Sequence, residues 1–284
     1  MSISQQYISK QKIRRAFDRA ASSYDAAAVL QKEVCNRLLE KLEYIRLSPR
    51  LILDAGVGTG EAVAPLMTRY KKARLVALDL SERMLAKASG QGSLMRKPDL
   101  VCADLEQLPF RENSFDLIFS SLTMQWCNDL EATIQGFLQV LNPGGLLMFT
   151  TFGPDTLKEL RTCWHHIDDA VHVNQFTDMH DVGDDLLRAG FADPVMEAEI
   201  ITVNYDSVDQ LMADLRAIGA NATAEGGRAG LMTPSALSRL RQAYDAYRIE
   251  GQLPASYEVV YGHAWKPTAR PSQKTELRVD FMGP

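Results

Sequence analysis

The chain has 284 residues, of which 46% are hydrophobic and 24% charged, with a formal net charge of -5. The apolar fraction supports a full globular core, and the acidic balance argues against a dedicated nucleic-acid binder, whose domain is usually basic. Cys35, Cys102, Cys127 and Cys163 form no CxxC pair, so metal clusters and redox motifs are not expected. Without an apolar signal segment or a membrane-length apolar run, the sequence predicts a soluble cytoplasmic protein with reduced thiols.

The pattern along the chain begins with a polar helix ending near Ser22 or Ser23. A second helix follows, with Leu30, Val34, Leu38, Leu42 and Ile45 on one face and Pro49 as its stop. An apolar strand over 50–53 runs into Asp54-Ala-Gly-Val-Gly-Thr-Gly60. Strands are then predicted near 74–79, 98–102, 115–121 and 145–151, and helices over 60–70, 81–88, 129–141 and 154–168. Their alternation argues for a mostly parallel sheet covered on both faces. Asn142-Pro-Gly-Gly145 reads as a turn. Residues 178–190 read as a helix ending at Gly190, and 195–204 and 257–265 as strands. The stretch 205–255 between those strands has helical periodicity and reads as an inserted cap, since long connections in compact domains are usually functional. Residues 268–284 read as a disordered tail.

The glycine loop Asp54-x-Gly56-x-Gly58-x-Gly60 sits where a strand gives way to a helix. There the backbone must turn sharply and approach a ligand without interference from Cβ atoms. Asp79 ends the next strand and is suited to ribose hydroxyls, while Asp104 follows the third and is suited to an adenine amino group. A dinucleotide loop needs G-x-G-x-x-G, whereas here the glycines read G-x-G-x-G. No catalytic donor or base for a nicotinamide enzyme is recognisable either.

This series of Asp54 loop, Asp79 and Asp104 resembles the class I S-adenosylmethionine-dependent methyltransferases. The resemblance implies an α/β, Rossmann-like fold with a seven-stranded, mostly parallel sheet. Around it are expected an N-terminal helical lid (1–48), a core (49–204), the helical cap (205–255), a last core strand (256–267) and the tail. It further implies S-adenosylmethionine as cofactor, held by Asp54, Gly56, Gly58, Gly60, Asp79, Leu80, Met84, Asp104, Leu105 and Ser120.

A narrower resemblance lies outside the loop, in Phe17-Asp-Arg-Ala-Ala-Ser-Ser-Tyr-Asp25, Ser121-Leu-Thr-Met-Gln-Trp-Cys127, Phe149-Thr-Thr, Leu215-Arg-Ala-Ile-Gly-Ala220 and Tyr257-Glu-Val-Val-Tyr-Gly-His-Ala264. These segments resemble the biotin-pathway malonyl-acyl-carrier-protein O-methyltransferases (the BioC family). That likeness implies methylation of the free carboxyl of a malonyl thioester on acyl carrier protein, with no nucleic acid or membrane as partner. Such a carboxyl is ionised at neutral pH, so no catalytic residue is expected. The stretch Thr151 to Arg161 and the helix over 178–190 also resemble a mitochondrial complex I assembly factor of the same fold, which hydroxylates a protein arginine.

Substrate contacts are expected from Tyr24, Gln125 and Trp126, and a carboxylate calls for a cation. Arg216 and Arg228 in the cap are candidates, as are Arg14, Arg15 and Arg19. Lys10, Lys12, Arg14, Arg15 and Arg19 crowd the first helix and suit an acidic carrier protein. His165, His166 and His172 show no metal-ligand spacing and read as surface or core polar groups.

Overall fold

The computed structural model describes residues 7–93, 95–220 and 233–268. Its elements in order are α1 (Lys10–Ala20), α2 (Tyr24–Ala27), α3 (Val29–Lys41), β1 (Leu51–Ala55), α4 (Val63–Arg69), β2 (Arg74–Asp79) and α5 (Glu82–Ala88). There follow β3 (Asp99–Cys102), β4 (Phe115–Ser120), α6 (Leu130–Val140), β5 (Leu141–Phe152), α7 (Lys158–His165) and α8 (Met179–Ala189). The chain continues through β6 (Ala192–Tyr205), α9 (Val208–Ala217), α10 (Pro234–Asp245) and β7 (Leu253–Trp265).

The seven strands form one sheet in the order β3-β2-β1-β4-β5-β7-β6. Every pairing from β3 to β5 is parallel, and β7 runs antiparallel to both β5 and β6. Both faces are covered, which is why β4 reads as a nearly continuous apolar run rather than an alternation. Leu66, Leu117, Phe119 and Tyr244 belong to the core on one side, and Leu53, Ile118, Phe137 and Phe149 to that on the other.

Several expected boundaries move for local reasons. α4 starts at Val63, because the turn bonds Gly60 N–H to Val57 O and Val63 N–H to Gly60 O come first. α7 starts at Lys158, because Gly153 and Leu157 donate across to β7, at Glu258 O and Ser256 O. Asn142 to Gly145 lie within β5 as a bulge: Leu141 pairs with Phe115, and the next register pair is Leu146 with Leu117. β7 begins at Leu253, earlier than the expected 256, and pairs with β6 along its whole length. Helices α9 and α10 occupy the connection between them, their first turns capped by Ser207 and Thr233. Arg228 and the expected tail beyond Thr268 lie outside the described residues.

Candidate active site

Strand order reverses between β1 and β4, and a ligand crevice forms at the carboxyl ends of strands at such a point. The glycine loop leaves β1 there and is pinned to β2, since Gly56 and Val57 both donate to Leu78 O, at 2.8 and 2.9 Å. Gly56 has φ +82°, and a Cβ on it would lie 2.2 Å from the Thr123 side chain. Gly58, at φ +54°, faces open space, where a Cβ would meet nothing within 4 Å. Its N–H donates to Asp79 Oδ2 at 2.9 Å, and Ser81 N–H donates to Oδ1 at 2.8 Å. Each Asp79 oxygen keeps acceptor capacity toward the cavity. Lost hydration pushes the carboxyl up to about 6, against the pull of those two backbone hydrogen bonds.

A cavity of about 670 Å³ lies over this loop, lined by Gly56, Gly58, Asp79, Leu80, Met84, Asp104, Leu105 and Thr123 among others. Its outer wall is one stripe of α1: Lys10, Ile13 and Phe17, at helical spacing. Lys10 Nζ reaches Asp104 Oδ1 at 3.2 Å and Trp126 O at 3.2 Å, and also pairs with Glu106. Phe17 meets Trp126 edge to face, with ring centroids 5.4 Å apart. The inward side of α1 thus carries a cation–carboxylate latch and an aromatic clasp.

A second cavity of about 750 Å³ adjoins the first, and Phe17, Tyr24, Leu122 and Trp126 line both. Its remaining wall comes from the fourth-strand loop, from the chain around α7 and from α9, including Gln125, Phe152, Leu157, His172, Phe176, Leu215, Ile218 and Tyr257. Neither lysine, arginine nor a carboxylate lines it among the described residues. Burial, followed by the charge of Asp79, pushes the Tyr24 phenol up, so it stands at the junction as a neutral hydroxyl. Gln125 donates through Nε2 to Leu122 O at 2.7 Å, leaving its buried Oε1 without a protein partner among the described residues.

The structure places the other expected residues differently. Asp54 is 3% exposed and lies off the main cavity, in a side pocket with Tyr24, Gln31, Lys32 and Cys35. Burial, then the charge of Asp79, pushes its carboxyl up to about 8. Gly60 lines neither cavity, because it faces α5, where a Cβ would lie 2.7 Å from Gln91 and 3.1 Å from the Ala88 backbone. Ser120 is fully buried and donates to Ala55 O at 2.8 Å, and its neighbour Ser121 takes the cavity position. Arg216 points outward from α9 as an exposed side chain and lines neither cavity, while Leu215 and Ile218 face inward. Lys10 likewise leaves the outer charge stripe for the latch. Sequence spacing did hold the missing signal for Lys10, Ile13 and Phe17, since a 3–4 step marks one helix face. No comparable signal pointed to Leu122.

The open side of Gly58, the half-satisfied Asp79 and the acidic end of the third strand fit an adenosyl cofactor. The fold is shared with solved structures: YcgJ from Bacillus subtilis matches with a TM-score of 0.59 and 12% identity, covering 83% of this chain and 98% of that one. A Bacillus halodurans structure matches with a TM-score of 0.57 and 19% identity, over 81% and 99%. A family model described as a methyltransferase domain matches residues 53–149. Fold and site together define an S-adenosylmethionine-dependent methyltransferase of class I.

The whole chain narrows this further. It is 54% identical to the malonyl-acyl-carrier-protein O-methyltransferase of Laribacter hongkongensis, over 97% of this chain and 96% of that protein. The enzyme of the same name from Gallionella capsiferriformans is 50% identical, over 93% of each. The chain belongs to the malonyl-acyl-carrier-protein O-methyltransferase family.

Proposed function

We propose that this chain methylates the free carboxylate of a malonyl thioester carried on acyl carrier protein, the step that opens pimeloyl synthesis for biotin in the cytoplasm. The observation that carries this reading is the pair of adjoining cavities meeting at Phe17, Tyr24, Leu122 and Trp126. One has the features of an adenosyl site, and the other is a largely apolar chamber suited to an acyl group.

Asp79 would accept the ribose hydroxyls, Gly58 would leave room for the cofactor backbone, and Leu80, Met84 and Leu105 would flank the base. When bound, S-adenosylmethionine supplies a methyl group that passes to a carboxylate oxygen, the electrons of the broken C–S bond staying on sulfur. No proton moves, so the chamber needs no base. Its residues contribute alignment and the exclusion of water. Tyr24, at the junction, is placed to donate its hydroxyl to the acceptor carboxylate, and Phe17 and Trp126 close the roof.

The outer face of α1 supports the carrier-protein assignment. Lys12, Arg15 and Arg19 are exposed and follow helical spacing on the side away from the latch. On a chain of net charge -5, such a stripe gives an acidic carrier a local point of attraction. Incubating malonyl-carrier with enzyme and S-adenosylmethionine, then weighing the carrier, tests the assignment. A mass gain of one methyl group, removed by mild ester hydrolysis, is expected. An unmodified carrier under conditions where the cofactor binds would overturn it.

A further inference from the structure

A left-handed backbone suits leucine poorly, because its Cβ crowds the following carbonyl oxygen. Among the described residues, the non-glycine positions with positive φ are Asn113, Leu122, Leu157, Asp193 and Glu250. Asparagine and aspartate tolerate that region, whereas a bulky apolar side chain there is an outlier. Both leucines line the second cavity, and Leu122 lines the first as well. Leu122 stands two residues past the end of β4, at φ +48° and 8% exposed.

Strain of this kind persists only where the surroundings hold it, and here they hold it from both sides. The Leu122 N–H donates to Thr150 on β5, at 2.9 Å to Oγ1 and 3.1 Å to the carbonyl oxygen. Its own carbonyl oxygen accepts from Gln125 Nε2 at 2.7 Å. The next residue, Thr123, donates through Oγ1 to Ser121 O at 3.0 Å and to Gly56 O at 3.3 Å. The Thr123 side chain also fills the space that a Cβ on Gly56 would need. The strained turn is thus registered against the glycine loop. A glycine at 122 would adopt this backbone without strain, so only the side chain gives leucine an advantage there.

We propose that Leu122 is a positioning residue for methyl transfer. Its side chain is fixed at the junction of the cavities, so that the donor on one side and the acceptor oxygen on the other meet in line. This assignment rests on the substrate reading above. Transfer to an ionised carboxylate has no proton step to accelerate, so alignment carries the rate. A misplacement of about 1 Å costs about a hundredfold. A loosely held side chain could not set that distance, whereas one locked at both its N–H and its C=O can. Phe17 and Trp126 bound the junction from the side of α1, and Leu122 bounds it from the sheet.

The test compares Leu122→Ala, Leu122→Gly and Leu122→Met. Single-turnover methyl transfer at saturating malonyl-carrier and S-adenosylmethionine should slow about a hundredfold in the alanine and glycine variants. Affinities for S-adenosylhomocysteine and malonyl-carrier should stay at the wild-type level. Leu122→Met, which fills a similar volume, should recover most of the rate. Urea unfolding reads the backbone: Leu122→Gly should outlast Leu122→Ala, the reverse of the usual order, because only alanine keeps the strain. An alanine variant as stable as the glycine variant would overturn the locked backbone and the assignment with it. Wild-type rates in the folded small variants, or affinity losses that match the rate loss, would overturn it equally. Should the small variants fail to fold, Leu122→Ile takes their place, since a branched Cβ resists the left-handed region. It should be slower than Leu122→Met, and equal rates would refute the proposal. A wild-type enzyme that leaves malonyl-carrier unmodified would sink the substrate reading and the leucine assignment together. A working wild type with unaffected variants would sink only the leucine.

Discussion

Replacing Asp54 by asparagine should separate the stability of the empty chain from its grip on the cofactor. Asp54 is 3% exposed, its Oδ2 has no protein partner among the described residues, and its carboxyl is pushed up to about 8. In the unfolded chain the same group titrates near about 3.9. The folded state therefore binds the proton more tightly, and its stabilising effect is fully present below the unfolded value. It is lost as pH rises toward about 8, at about 1.4 kcal/mol per pH unit. From about pH 5 to about pH 8 the loss approaches 4 kcal/mol, a ceiling because structure and water relax around a buried charge.

Asparagine keeps the shape and the neutral state, so D54N escapes this loss. Urea unfolding of the two proteins across that pH range should show D54N gaining on the wild type as pH rises. With cofactor the order should reverse. We propose that Asp54, whose side pocket is shared with Gly56 and Gly58 of the glycine loop, would face the cationic methionine end of the cofactor. That charge would draw the proton off Asp54, so wild type releases a proton on binding near neutral pH and D54N does not. Calorimetry in two buffers of different ionisation enthalpy reads that proton directly, and affinity should fall about tenfold in D54N, the value of one charged hydrogen bond. A stability gap that is constant with pH would refute the reasoning.

Asp79→Ala should weaken S-adenosylmethionine by about 1.5–3 kcal/mol, the loss of a charged acceptor, as measured by calorimetric titration. Because the Asp79 carboxyl is pushed up to about 6, wild-type affinity should decline as pH falls through that value, whereas Asp79→Ala should lack this inflection. Reversing charge at Arg15 and Arg19 together should slow methylation of malonyl-carrier, and added salt should do the same to the wild type. A malonyl thioester without the carrier should be nearly indifferent to both changes; equal slowing would reassign the helix to folding or cofactor closure.

Much of the candidate cofactor site was legible because it is local. The loop Gly56 to Gly60 is contiguous, and Asp79 and Asp104 follow apolar runs that can only be strands between helices. Even so, single residues depended on orientation. Ser120 and Ser121 are adjacent, but side chains alternate along a strand, so one is buried against Ala55 while the other lines the cavity. Arg216 carried the right charge on the wrong side of α9, and nothing short of the helix's rotation against β6 decides that. The first helix read as one basic element, although docking splits it into the latch stripe at Lys10, Ile13 and Phe17 and the outer stripe at Lys12, Arg15 and Arg19.

The sequence by itself determined the order of strands and helices, the glycine loop and the acids after it, and the family, because periodicity, glycine spacing and motif order act over short stretches. Only the tertiary structure decided which faces meet. It brought Tyr24 over the loop, set Phe17 against Trp126, and joined Leu122 to a chamber whose other walls come from α9 and β7. Those juxtapositions come from packing apolar faces against one sheet, and packing energy is shared among residues distant in the chain.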